Sequence, residues 1–199
     1  MTNWFGFSGL RALIVVLAFV VAGCEAAPLP EPLAELTYTG LPAISLDVAV
    51  IEVVELYQPP LRAPNVDHDF PTSPARAMRQ WVKDRLRAVG ETGTARFIIQ
   101  DAAVTETKLE KREGLSGLFY KEQSERYDGR LEIILEIRDE RGFREAFATG
   151  MAEQFNTAAE GISLDERERL FHALASSLVD IAGAELEKNI AQFLGPYLR

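Results

Sequence analysis

The sequence predicts an α+β fold: a single domain ordered β-α-β-β-β-α, with two helices on one face of a mainly antiparallel four-stranded sheet. Three observations carry this. Tyr127, Leu131, Ile133, Leu135 and Ile137 alternate with Arg130, Glu132, Glu136 and Arg138, the two-residue period of a half-buried strand. Two apolar stripes recur at helical spacing, one in 74–89 and one in 164–194, and each follows a serine able to cap a helix. Short turns between neighbouring strands favour antiparallel pairing.

Taken in order, the domain begins with Ile44, Leu46, Val48 and Val50 alternating with Ser45, Asp47 and Ala49. Ile51, Val53 and Val54 break the phase, which predicts a bulge or burial on both sides before Pro59-Pro60 ends the pairing. The stretch from Leu61 to Thr72 has two prolines and no period, and reads as a surface loop. Ser73-Pro74 opens a helix, because proline at the first helical position lacks only a donor that has no partner there. Met78, Trp81, Val82, Leu86 and Val89 form its buried face, and Gly90 ends it. Trp81 is expected in the core.

The next strand is expected from about Ala95 to Leu109, starting at Phe97-Ile98-Ile99 and growing polar. The alternating strand around 127–138 follows. Asp139-Glu140-Arg141-Gly142 makes a tight turn into a strand from Phe143 to about Phe155. Ala146, Ala148, Gly150 and Ala152 lie on one face of that strand, small enough for a helix to approach closely. Ser163 and Glu166 form a capping box. Phe171, Leu174, Leu178, Ile181, Leu186, Ile190 and Phe193 then continue a stripe to Gly195-Pro196. From Leu164 to Leu194 a helix would span roughly 46 Å. It either overhangs the sheet or breaks near Gly183.

Upstream of the domain, Arg11 precedes an apolar or small run from Ala12 to Gly23, and the chain turns polar at Glu25. A charged start, a short apolar core and a small-residue processing site make a signal peptide. As a spanning helix the run is too short: twelve residues rise about 18 Å against a hydrocarbon core of about 30 Å. Extending it back through Trp4, Phe5 and Phe7 puts Arg11 in the middle, at a cost of a few kcal/mol. Cys24 is the single cysteine of the 199 residues and closes this leader in Val21-Ala22-Gly23-Cys24. The tetrapeptide resembles the lipobox of bacterial lipoproteins. That resemblance implies a signal peptide over 1–23, cleavage before Cys24, fatty acylation such as palmitate on its thiol, and a membrane-anchored amino terminus. Residues 24–43, with Pro28, Pro30, Pro32 and Pro42, are then a lipidated tether, and 44–199 the periplasmic domain.

Composition narrows the function further. The chain has 21 Lys+Arg and 30 Asp+Glu, a net charge of −9. Cleavage before Cys24 removes Arg11 and no acid, which makes the mature chain one charge more negative. Such a surface argues against nucleic acid and against broad attraction to anionic lipid. With Cys24 acylated, the domain has no thiol for disulfides or thiolate chemistry.

The chain has no nucleophile elbow, zinc-protease helix, phosphate loop or dinucleotide fingerprint. Gly114-Leu115-Ser116-Gly117 has a serine between glycines at the wrong spacing for a nucleophile. Asp67-His68-Asp69 has metal-binding residue types, but three consecutive residues rarely converge on one ion, so a solvated acidic loop is expected. His172 reads as a helix-surface histidine. Asp165, Glu166 and Glu168 complement the dipole of their helix. No catalytic residue, metal or cofactor is assigned, and the chain is not expected to be an enzyme.

One connection departs from a polar hairpin tip. Leu115, Leu118, Phe119 and Tyr120 cluster between two strands, flanked by Glu110-Lys111-Arg112 and Lys121-Glu122. Either the loop folds back as a satellite core, or it projects an apolar contact for a partner protein, lipid or membrane.

The lipobox followed by this element order resembles two envelope lipoprotein groups: the outer-membrane lipoprotein that plugs the lipopolysaccharide-export barrel, and the auxiliary lipoproteins of lipid-trafficking ABC transporters. Trp81 in Met78-Arg79-Gln80-Trp81-Val82 matches a tryptophan that recurs in the first helix of the second group. The resemblance implies a non-catalytic adaptor in envelope assembly or lipid transport. It would face the periplasm from the outer rather than the inner membrane, with an envelope protein as partner. A module binding a small ligand or lipid between helices and sheet is the alternative.

Overall fold

In the computed structural model, which describes residues 32–110 and 123–199, the first expected strand is two strands in two different sheets. β1 (Ile44–Leu46) runs parallel to β3 (Leu86–Ala88) in a two-stranded ribbon. β2 (Val50–Glu55) joins the main sheet, parallel to β4 (Thr94–Asp101). The phase break read at Ile51 is this change of sheet: Val48, buried at the switch, turns inward between the two strands.

α1 (Pro74–Arg85) starts as expected, with Ser73 Oγ accepting from Arg76 N–H and Pro74 in its first turn. It ends earlier than its stripe. Leu86 is extended and leads into β3, so it and Val89 are not helical, and Val89 is exposed. The parallel partner β1 supplies the ladder that holds 86–88 extended, and tertiary pairing overrides the local period. Arg87 turns its guanidinium back onto the freed carbonyls of Lys83 (2.7 Å) and Asp84 (3.1 Å).

The expected strand over 95–109 is divided. β4 is followed by buried Ala102 and then β5 (Val104–Lys108). Both pair antiparallel with the same side of the 16-residue β6 (Gln123–Arg138), β4 along one half and β5 along the other. β7 (Arg144–Ala159) covers the opposite side of β6 along its whole length. The turn between them carries Gly142 at φ +83°, and Asp139 Oδ1 accepts from Arg141 and Phe143 N–H. The main sheet is therefore four strands wide, β2, β4 with β5, β6 and β7, and mainly antiparallel.

α2 (Leu164–Phe193) opens on the expected capping box and runs unbroken through Gly183. Both helices lie on one face. Tyr127, Leu131, Ile133, Leu135 and Ile137 of β6 meet Phe171, Leu174, Leu178, Leu186 and Ile190 of α2 in the core. Trp81 of α1 packs against Phe97 of β4. Two members of the α2 stripe depart from expectation: Ile181 and Phe193 are exposed, because the turn of the helix carries them past the edge of β7. In their place Ala175, Val179, Ala182 and Gly183 are buried.

The small face of β7 is what lets α2 settle. A Cβ on Gly150 would stand 2.2 Å from Ala182 O, so only glycine fits there. Leu33–Arg199 form one compact unit that includes the residues just before β1. Tyr38 is buried, its N–H donates to Asp84 (2.8 Å), and Arg85 Nε donates to Pro42 O (2.8 Å).

Candidate functional site

Several residues singled out in the sequence lie outside the described residues: Cys24, Leu115, Leu118, Phe119, Tyr120 and the 114–117 segment. The rest can be placed. Asp67, His68 and Asp69 form a short 3-10 turn, and Asp67 is buried rather than solvated. Its Oδ1 accepts from Tyr57 Oη (3.0 Å), while His68 Nε2 lies 3.6 Å from Asp69. Burial and the hydrogen bond to Asp67 push the Tyr57 phenol well above its ordinary pKa. Among the described residues no three His, Cys, Asp or Glu side chains gather around a metal-sized space. A cavity of about 110 Å³ lies beside this turn, too small for most organic ligands. His172 sits on the surface of α2, its Nε2 2.8 Å from Ala34 O. Trp81 is core, with Arg85 stacked 5.3 Å from its ring centroid.

The sheet face opposite the helices carries the more informative arrangement. Along β7 the residues opposite Ala146, Ala148, Gly150 and Ala152 are Phe147, Thr149, Met151, Glu153 and Phe155. Phe147, Met151 and Phe155 are about half exposed, and Phe143 in the preceding turn is 69% exposed. Four large apolar side chains thus recur every fourth residue on a surface that no described helix covers. The signal stood in the sequence: if the small side chains of β7 face α2, the large ones must face away.

Next to this stripe, the outward charged residues of β6 form ion pairs. Arg126 pairs with Asp128 (2.7 Å) and lies 3.8 Å over the Phe155 ring. Arg130 reaches Glu132, Glu153 and Asp101. Glu136 holds both Arg138 (2.6 Å) and Arg144 (3.3 Å), and Arg144 covers the Phe147 ring at 4.9 Å. Burial alone would raise the pKa of Glu136, but the two guanidiniums outweigh it and hold it below the usual carboxylate value. Arg126, Arg130, Arg138 and Arg144 are thus each paired with carboxylates beside the apolar stripe.

β7 is also an edge. Among the described residues β6 is its only strand partner. Two α2 side chains occupy the middle of the open side: Glu185 accepts from Met151 N–H (2.7 Å), and Asn189 Nδ2 donates to Thr149 O (2.8 Å). Beyond them, Glu145, Ala146, Phe147, Ala148, Thr149 and Phe193 line an apolar groove of about 470 Å³ between the strand edge and the end of α2. Among the described residues no helix is long and apolar enough to cross a membrane.

Compared with known protein families and with curated proteins, the chain matches none.

Proposed function

We propose that this chain is a lipid-anchored, non-catalytic adaptor of the bacterial cell envelope, acylated at Cys24 and facing the periplasm, working in envelope assembly or lipid transport. Its partners on this reading are a membrane, through the lipid, and an envelope protein. The observation that supports it is the exposed stripe Phe143, Phe147, Met151 and Phe155 along a strand that pairs on one side only among the described residues, in a chain with a lipobox-like leader at 11–24. Full burial of such a side chain contributes about 1.5–3 kcal/mol, so each half-exposed one leaves about half of that for a partner to recover. An acidic surface favours a protein partner over anionic lipid as that second contact.

Cys24→Ser tests the anchor. The variant is expected to leave the membrane fraction or to accumulate with its leader uncut. Unchanged membrane association with normal processing would refute the lipoprotein reading. Density-gradient fractionation then separates outer-membrane residence, the expected result, from inner. The apolar cluster Leu115, Leu118, Phe119 and Tyr120 is a second proposed contact. Leu118→Ser with Phe119→Ser is expected to keep the melting temperature and weaken membrane or partner crosslinking.

The groove beside Phe147 and Phe193 supports the alternative, a small apolar ligand or lipid. Mass spectrometry of the purified protein decides it: a stoichiometric lipid that is lost in Phe193→Ser favours the ligand-binding module.

A further inference from the structure

We infer that the cavity between the end of β2 and the start of α1 binds a short aminoalkyl phosphate, its ammonium on Asp67 and its phosphate on Arg76 and Ser73. The site lies at the opposite side of the main sheet from β7, and it does not depend on the adaptor reading.

Asp67 is the group that calls for a guest. It is 2% exposed, and its Oδ1 accepts one hydrogen bond, from Tyr57 Oη at 3.0 Å. A carboxylate offers about four acceptor positions, so a single neutral donor leaves most of them unused. Taking such a charge out of water is costly unless a cation and further donors meet it. Among the described residues no cation does: Arg79 pairs with Glu55, and His68 Nε2 lies 3.6 Å from Asp69. Asp67 lines the cavity of about 110 Å³ beside its turn, where a bound cation can supply what the protein does not.

The rest of the lining selects the cation. A metal ion fits poorly, because among the described residues no three acidic or imidazole side chains gather around one point. Arg76 lines the same cavity from an exposed position, and its guanidinium donates to Pro71 O at 3.3 Å. Among the described residues it has no carboxylate partner. An unpaired arginine at the opening repels a bare cation and attracts one that carries its own anion. Ser73, also in the lining, caps α1: its Oγ accepts from Arg76 N–H, which leaves the hydroxyl proton free to donate. A guanidinium fork and a hydroxyl at the first turn of a helix suit a phosphate. Buried Phe70, Ala75 and Ala102 supply an apolar wall for the carbons between the two charges. The volume admits an aminoethyl arm and leaves the phosphate at the mouth, beside Arg76. A trimethylated ammonium has no N–H to give Asp67, so the guest is a primary amine.

Calorimetric titration of the full chain in detergent with O-phosphoethanolamine tests this, with ethanolamine and inorganic phosphate as its two halves. One-to-one binding is expected, at least about tenfold tighter than either half alone. Asp67→Asn keeps an acceptor for Tyr57 and removes the charge, and should weaken binding at least about tenfold. Arg76→Gln, at an exposed position where the fold is not at stake, should weaken O-phosphoethanolamine about fivefold without weakening ethanolamine. Phosphocholine should bind no better than inorganic phosphate. Dihexanoylphosphatidylethanolamine, a soluble lipid, then separates the two sources of this chemistry: binding tighter than that of O-phosphoethanolamine marks a lipid headgroup as the guest, and weaker binding marks a free aminoalkyl phosphate. No binding of O-phosphoethanolamine, equal binding by Asp67→Asn, or equal binding of phosphocholine would each overturn the proposal.

Discussion

The indole of Trp81 lies against the backbone of Gly183, so close that a Cβ on that glycine would stand 2.9 Å from Nε1. This contact joins α1 to α2 and explains a glycine in the middle of a 30-residue helix, where it costs about 1 kcal/mol against alanine. Gly183→Ala recovers that propensity but pushes the indole out of a packed site. A net loss of about 1–2 kcal/mol is expected from denaturant unfolding. Trp81→Ala, which empties the same site, should cost about 3–5 kcal/mol. An unchanged midpoint for Trp81→Ala would contradict its place in the core.

Gly150 is the more severe position. Its missing Cβ would collide with the backbone oxygen of Ala182 at 2.2 Å, and a backbone atom cannot rotate away. Gly150→Ala is expected to lift α2 from β7 and destabilise the domain by about 3 kcal/mol. Gly142 has open space around its missing Cβ, and its strain comes from φ +83° alone. Gly142→Asn should therefore cost under about 1 kcal/mol, measured by the same melts.

Arg85 is 2% exposed and donates to Glu187 Oε1 at 2.7 Å, tying α1 to the far half of α2. Removing the carboxylate leaves a buried guanidinium with Pro42 O and the Trp81 ring as its contacts on these residues. Glu187→Ala should cost about 2 kcal/mol, discounted because Glu187 itself is partly exposed. Replacing Arg85 by methionine as well should recover part of the loss, since no charge then remains buried. Chemical denaturation of the single and double variants checks both.

Acid should loosen the outer face. The Glu136 carboxyl is held below its ordinary value near 4.5, burial opposing and Arg138 and Arg144 prevailing. A depressed folded pKa contributes stability that is present above the unfolded value and disappears as pH falls through the folded one. The domain is thus expected to lose stability below about pH 4.5, and Glu136→Gln should show a shallower acid limb. Glu125, lowered against its own burial by Tyr127 and Arg167, adds in the same direction. Parallel acid limbs for wild type and Glu136→Gln would refute the assignment.

Sequence periodicity by itself determined the class of fold, the place of both helices in the chain, the caps at Ser73 and Ser163, and the packed face of β6. These follow from local physics: which residues recur on one face, and which side chain reaches a free N–H. It also marked the small face of β7 as a helix contact. Tertiary structure decided what local pattern leaves open. Leu86 has the spacing of a helix and lies in a strand because β1 waits beside it. Asp67 is buried because the connection folds back and brings the Tyr57 hydroxyl onto it, a contact no local period encodes. Ile181 and Phe193 continue an apolar stripe and are exposed because the sheet ends before they do. Among the described residues the same boundary leaves one side of β7 without a strand partner, and with it the candidate site. Alternation in a strand says which residues share a face, but only the assembled sheet says which face, and which edge, meets water.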